Sequence, residues 1–139
     1  MCKPIVIDGK DCFDGGISDP IPFQKAFDMG CDKVIVVISK PVDYRKSPQK
    51  HMPIIKAALK KYPKVFDRLA VRHEVYNRQL EEAIKLQEQG NVIILAPQDC
   101  YGVNTLTREP AALEKLYEEG RRCADEHLSE IKAPGEKTA

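Results

Sequence analysis

The feature that most constrains the fold of this chain is a pair of continuous apolar runs, Val34–Ile38 and Val92–Leu95. Both are rich in β-branched residues and lack alternation with polar residues, which is typical of strands buried on both faces of a parallel sheet. Helical patterns lie between the two runs and after the second. This order predicts an α/β fold with a partial, mostly parallel sheet and flanking helices.

A β-hairpin is predicted ahead of the first run. The pair Asp8-Gly9 separates Ile5–Ile7 from Lys10–Phe13, and an Asp-Gly pair between two such segments is a strong hairpin signal. The second arm of this hairpin leads directly into the sequence Asp14-Gly15-Gly16.

Apolar residues at helical spacing predict the helices. A short helix begins at Pro22 and ends before Gly30, because proline suits the first turn and glycine the C-terminal cap. The segment 40–90 is predicted to be largely helical, with a break at Pro63. A last helix begins near Thr107–Pro110 and continues past a glycine in its middle.

The composition indicates one ordinary globular domain spanning residues 1–139, with a short polar tail at 134–139 that we expect to be frayed. No apolar run reaches the 18 residues or so that a membrane span needs, and the N-terminus lacks a signal-peptide pattern. We therefore expect a cytoplasmic protein that can be peripheral at a membrane. The five cysteines form no CxxC pair and are interpreted as reduced thiols, mostly in the core.

The segment 40–64 is strongly basic. It contains eight lysine or arginine residues against Asp43 alone, a net charge of +7. One interpretation is a solvated loop and helix face, because basic runs are common on amphipathic helices. The other is contact with an anionic membrane surface, to which each basic residue contributes about 1 kcal/mol. The whole chain carries a net charge of only +1, and no nucleic-acid partner is predicted.

The turn at Asp14-Gly15-Gly16 has two interpretations. Asp and Gly are common turn residues, so a structural turn in which Asp14 bonds its own backbone accounts for the local pattern. Alternatively, the glycines adopt φ > 0 and hold one carboxylate at a fixed position. The sequence contains no GxGxxG, GxxxxGK[ST], HExxH or GxSxG motif, and its three histidines are far apart. No metal site, cofactor or serine nucleophile is therefore predicted in this chain.

The segment Pro4–Pro22, read together with the strand Val34–Ile38, resembles the Asp-bearing segment of patatin-like phospholipases. The resemblance rests on the hairpin, the Asp-Gly-Gly turn, the following proline and the next buried strand in that order. A looser similarity to the C-terminal region of bacterial members extends over Tyr76-Asn77, the strand ending at Pro97, and the last helix.

The resemblance implies that Asp14 is the base of a Ser–Asp dyad, with Gly15 and Gly16 forming the turn that orients it. It also implies a lipid or acyl-ester substrate and a chain that forms the C-terminal part of a patatin-like three-layer fold. In that family, the glycine-rich oxyanion loop and the GxSxG serine precede the Asp motif, and nothing before Asp14 in this chain matches them. We therefore expect this chain alone to be inactive.

An alternative function is a non-catalytic module that binds a protein or a membrane through the basic segment 40–64. The two hypotheses differ in what they expect of Asp14 and of the sheet. The base of a dyad should lie in a concave pocket that faces an unfilled sheet edge, whereas in a non-catalytic module Asp14 should be a solvent-exposed turn residue far from any cleft. A chain that lacks the preceding strands of a parallel sheet should expose an apolar edge or patch, and should be able to dimerise through it.

Overall fold

The computed structural model describes residues 4–132. Within this range the chain forms an antiparallel hairpin, a two-stranded parallel sheet and five α-helices, which confirms the predicted α/β class. None of these helices is long and apolar enough to cross a membrane. The elements are β1 (Ile5–Ile7), β2 (Lys10–Cys12), α1 (Phe23–Asp28), β3 (Val34–Val37), α2 (Met52–Ala58), α3 (Pro63–Glu88), β4 (Val92–Leu95), α4 (Pro110–Glu126) and α5 (Leu128–Lys132).

The predicted elements agree with these bounds. Pro63 is the first residue of α3, Pro110 is the first residue of α4, and Gly120 lies inside α4 without ending it. The helical part of the segment 40–90 begins at Met52. The tail 134–139 and Cys2 lie outside the described residues.

The chain divides into two compact units. Unit 1 contains the residues up to Pro22 together with Arg45–Gln79, so it holds the hairpin, α2 and most of α3. Unit 2 contains Phe23–Tyr44 and the chain from Leu80 onward, so it holds the parallel sheet, α1, α4 and α5.

In unit 1, β1 and β2 pair antiparallel, with Ile5 opposite Cys12. Asp8 and Gly9 both have positive φ, 49° and 73°, as the two-residue turn of such a hairpin requires. Tyr62 attaches the hairpin to the residues before α3: its hydroxyl donates to Asp11 Oδ2 at 2.8 Å, and its ring packs edge-on against Phe13 at 4.9 Å. The hydrogen bond to the Asp11 carboxylate raises the pKa of the Tyr62 hydroxyl, because it stabilises the protonated form that donates it.

The apolar residues of β1 are uncovered. Ile5, Val6 and Ile7 are 69%, 66% and 54% exposed. Successive residues of a strand point to opposite faces, so both faces of the hairpin present apolar side chains to solvent. A two-stranded hairpin is marginally stable by itself, and its exposed apolar surface is therefore a feature that needs a covering partner.

In unit 2, β3 and β4 pair parallel, with Val34 opposite Val92 and Val37 opposite Leu95. Strand β4 is buried as predicted, and Val92 and Ile93 are 0% and 2% exposed. The prediction that β3 is buried on both faces is wrong, because Val37 is 74% exposed. Strand β3 pairs only with β4 among the described strands, so part of its apolar surface is exposed to solvent.

Glu119 of α4 fixes the end of β4. Its carboxylate is 7% exposed and accepts a hydrogen bond from the Gln98 backbone N–H at 2.9 Å and from Arg122 Nη2 at 2.7 Å. Arg122 also pairs with Glu126 one turn further along α4. The hydrogen bonds from Arg122 and Gln98 hold the pKa of the Glu119 carboxyl below its usual value, because they stabilise the ionised form.

The cysteines are less buried than predicted. Among the four that the structure describes, all are free thiols, but Cys123 alone is buried, while Cys31 is exposed and Cys12 and Cys100 are half-buried. The expectation that most cysteines lie in the core is therefore wrong for the described part of the chain.

The Glu119 contacts generate a pH-dependent prediction. We expect Glu119→Gln to lower the melting temperature at pH 7 more than Glu114→Gln, an exposed change on the same helix. Because the folded-state pKa of Glu119 lies below its ordinary value of 4.5, its stabilisation is present above that value and is lost as the pH falls through the folded-state pKa. Thermal melts across this acid range should show the two variants converging. Equal melting temperatures at pH 7 would contradict this role of Glu119.

Candidate functional site

Asp14 lies at the start of a short 3-10 turn, Gly15–Ile17, that follows the hairpin. Its Oδ1 accepts a hydrogen bond from the Gly16 backbone N–H at 2.9 Å, and its carbonyl accepts one from the Ile17 N–H at 3.0 Å. These bonds make Asp14 the N-cap of the turn. We call residues 14–19 the Asp14 turn.

The conformation of the two glycines differs from the prediction. Positive φ values occur at four other glycines, but not at Gly15 or Gly16, so the expectation of a left-handed turn is wrong. A contact at Gly16 explains the residue type instead. A Cβ atom there would lie 3.3 Å from Arg72 Nη2 and 3.3 Å from Asp14 Oδ1, whereas a Cβ atom at Gly15 would meet nothing within 4 Å.

Two side chains of α3 hold the Asp14 turn. Arg72 Nε donates to the Gly16 carbonyl at 2.6 Å. Seven residues later, Gln79 uses both ends of its amide: Nε2 donates to Asp19 Oδ1 at 2.6 Å, and Oε1 accepts from the Ile21 N–H at 3.1 Å. Residues seven apart lie on the same face of a helix, two turns from each other. The Arg72–Gln79 pair therefore fixes the turn near both of its ends.

The Asp14 side chain is exposed to solvent. Its only hydrogen bond within residues 4–132 is the one from Gly16, which leaves Oδ2 available. A carboxylate with one oxygen bound and the other accessible can accept a proton from a hydroxyl group within about 3 Å. The local geometry therefore supports both a plain capping role and a general-base role.

The exposed position of Asp14 in a turn agrees with the non-catalytic module. Two open clefts along α4, of about 460 Å³ and about 770 Å³, belong to unit 2, and Asp14 lines neither. Within residues 4–132 no group of three or more His, Cys, Asp or Glu side chains could hold a metal ion. His51 is exposed, while His127 is half-buried and bonds the Cys123 carbonyl through Nδ1 at 2.9 Å.

The sequence identified Asp14, Gly15 and Gly16 but missed Arg72 and Gln79. In the structure, hydrogen bonds join these two residues to Gly16 and Ile21, which lie 56 and 58 residues away along the chain. One signal was present in the sequence: both are polar residues seven apart on the apolar face of a long helix. Polar residues at such positions indicate that the helix contacts backbone groups there.

The contact at Gly16 generates a prediction with a matched control. Replacing glycine by alanine in a compatible conformation stabilises a protein by about 0.4–1 kcal/mol through the unfolded state. We expect Gly15→Ala to show this gain and Gly16→Ala to lose it, because its methyl group would press on Arg72 and Asp14. Urea unfolding should place Gly16→Ala roughly 1 kcal/mol below Gly15→Ala. Equal free energies of unfolding would show that Arg72 does not pack closely against Gly16.

Comparison with known proteins gave one family match. The family is described as a domain of unknown function, DUF6363, and the match covers residues 62–133, from the end of the α2–α3 connection through α5. It includes Arg72 and Gln79 but not the Asp14 turn. The patatin family was not among the matches, so the resemblance stays a prediction. Neither the curated proteins nor the solved structures gave a match. Since the matched region spans just over half of its length, the chain belongs to the DUF6363 family.

Proposed function

We propose that this chain is the C-terminal portion of a patatin-like lipid acyl hydrolase, forming the C-terminal part of that family's three-layer fold. Asp14 would be the general base of a Ser–Asp dyad whose serine and oxyanion loop lie on another segment of the natural protein. The substrate would be a lipid or another acyl ester.

One observation carries the proposal. Strand β1, which pairs with the strand that leads into the Asp14 turn, is uncovered on both faces, and each of its three apolar residues is more than half exposed. Monomeric proteins rarely expose contiguous apolar surface, so a strand of this kind is normally covered by another chain segment. The resemblance to patatin-like phospholipases predicts a further chain segment here, because the serine must lie within hydrogen-bond distance of Asp14.

The proposed chemistry uses Asp14 twice. Its carboxylate accepts the proton of the serine hydroxyl as the serine oxygen attacks the ester carbonyl, and the resulting carboxylic acid then protonates the departing alcohol. Asp14 next accepts a proton from water as the water oxygen attacks the acyl-serine, and it then gives this proton to the serine oxygen as the bond to the acyl group breaks, which releases the fatty acid and restores the serine hydroxyl and the Asp14 carboxylate. The Gly16 N–H holds Oδ1 at 2.9 Å throughout, which fixes the direction of the carboxylate.

The Arg72–Gln79 pair would act as positioning residues for this base. Neither is proposed to contact the substrate. By bonding Gly16, Asp19 and Ile21, they prevent the turn from shifting relative to α3. General-base catalysis depends on such fixed geometry, because a displacement of about 1 Å can lower a rate by roughly a hundredfold.

The edge of β3 offers a second place for an added segment. The backbone groups of Val34 and Ile38 bond β4, so those of Ile35 and Val37 point to the opposite edge of the strand. No strand in residues 4–132 pairs there. In the isolated chain, we propose that this edge pairs with the same edge of a second copy.

The non-catalytic interaction module is the second candidate function. It is favoured by the exposure of Asp14 and by the bond to Gly16, both of which are features of an ordinary capped turn. In that case Asp14 has no chemical role, and the module would bind its partner through the basic segment 40–64.

An activity assay separates these two functions. We expect the natural reading frame that contains this chain to include a GxSxG serine before Asp14, and its product to hydrolyse a p-nitrophenyl ester of a fatty acid. Asp14→Asn should lower kcat by about a hundredfold or more, the usual contribution of a general base. Asp8→Asn is the matched control, because it removes a carboxylate from the hairpin turn of the same unit, where asparagine also tolerates positive φ.

The isolated chain should show no Asp14-dependent turnover in the same assay. A longer product that hydrolyses no acyl ester, or whose activity survives Asp14→Asn, would refute the hydrolase proposal and leave the module.

The proposed edge pairing has its own test. Sedimentation equilibrium of the isolated chain at micromolar concentrations should detect a dimer, and Val37→Lys should shift it to a monomer, because a lysine on an edge strand opposes strand pairing. Leu106→Lys, at an exposed loop residue of unit 2, should leave the dimer unchanged. A monomeric wild-type chain would contradict the edge proposal.

A further inference from the structure

The structure separates the basic segment into engaged and available side chains. Lys40 Nζ donates to the Val103 carbonyl at 3.1 Å. Lys46 lies over the Tyr76 ring at 5.3 Å, and Lys56 over the Phe66 ring at 5.8 Å. The remaining lysines of the segment are exposed, and their side chains make no hydrogen bond or ion pair within residues 4–132; they are Lys50, Lys60, Lys61 and Lys64.

Helix α2 turns apolar residues toward solvent. It contains no buried residue, and Ile54 is 69% exposed. Ala57 and Ala58, three and four positions later on the same face, are exposed as well. The helix is anchored just after its C-terminus, where Leu59 is 3% exposed. An amphipathic helix normally points its apolar face to the core, so this outward face needs another environment.

The charge along this segment is of one sign. From Arg45 to Lys64 the sequence contains seven basic residues and no Asp or Glu. Uncompensated lysines beside an exposed aliphatic side chain match the interface of a lipid bilayer, where the lysine ammonium groups meet anionic headgroups and the aliphatic group enters the acyl boundary. Nucleic acid would satisfy the charges but would leave Ile54 without a contact.

We propose that α2 and its flanking lysines form a docking surface for an anionic phospholipid bilayer. Ile54 would insert below the headgroups, and the ammonium groups of Lys50, Lys60 and Lys61 would lie at the level of the headgroups. We call this the α2 surface. It goes beyond the proposed hydrolase activity, since docking requires neither Asp14 nor a serine nucleophile. Its role would be to hold unit 1 at the membrane surface.

The test uses this chain and sucrose-loaded vesicles. We expect binding to phosphatidylcholine vesicles that contain about 30% phosphatidylserine, weaker binding as salt is added, and none to phosphatidylcholine alone. Lys60→Gln with Lys61→Gln should weaken binding about 25-fold, at about fivefold for each charge. Ile54→Ser should weaken it about tenfold through lost apolar insertion.

Matched controls keep the result specific. Lys25→Gln with Lys33→Gln removes the same charge from exposed residues of unit 2, and Leu106→Ser removes an exposed aliphatic side chain there. Neither should weaken binding more than twofold or so. All substituted residues are exposed, and thermal melts confirm that each variant is folded.

The proposal is overturned if the chain does not bind the phosphatidylserine vesicles, or if the controls weaken binding as much as the α2 variants. It is equally overturned if a single-stranded oligonucleotide competes with the vesicles and Ile54→Ser has no effect, because the surface would then be a nucleic-acid site. Ester hydrolysis is measured separately, so loss of vesicle binding and loss of Asp14-dependent activity are independent results.

Discussion

Side chains of helix α3 form hydrogen bonds with backbone N–H and carbonyl groups that are not paired within a helix or between strands. In unit 1, Arg72 bonds the Gly16 carbonyl, Gln79 bonds the Ile21 N–H, and Asn77 bonds both the N–H and the carbonyl of Lys46. In unit 2, Gln87 accepts from the Ile94 N–H at 2.8 Å. Buried backbone groups in loops and at strand edges are stable only when they find hydrogen-bond partners. The α3 contacts are therefore the constraint on which the Asp14 turn depends.

The sequence predicted the elements well because their signals are local. The Asp8-Gly9 turn, the proline at the start of α3 and the buried strand β4 are all set by short stretches of sequence. The predictions from sequence failed where contacts between residues far apart along the chain determine the structure. The exposure of Val37 depends on which strands pair with β3, and the need for glycine at residue 16 depends on Arg72, which is 56 residues away. The sequence alone singled out Asp14, Gly15 and Gly16. It did not predict the contacts from Arg72 and Gln79 that hold the Asp14 turn.

Unit 1 carries the three features on which the proposals rest. It carries a carboxylate held by a capped turn, an uncovered apolar hairpin strand, and a lysine-rich surface around Ile54. The DUF6363 match contains the residues that hold the turn, while the turn itself lies before it. Helix α3, most of which lies in the family match, thus holds a turn contributed by a different part of the sequence.

The central claim is that α3 holds the Asp14 turn in place, and amide hydrogen exchange tests it most directly. The Ile21 N–H bonds Gln79 at 3.1 Å, and Ile21 is 4% exposed. In Gln79→Ala, the Ile21 amide should exchange much faster than in the wild-type chain, while the amides of β4 keep their protection. Equal exchange of the Ile21 amide in both proteins would contradict the account, because the turn would then be held without α3.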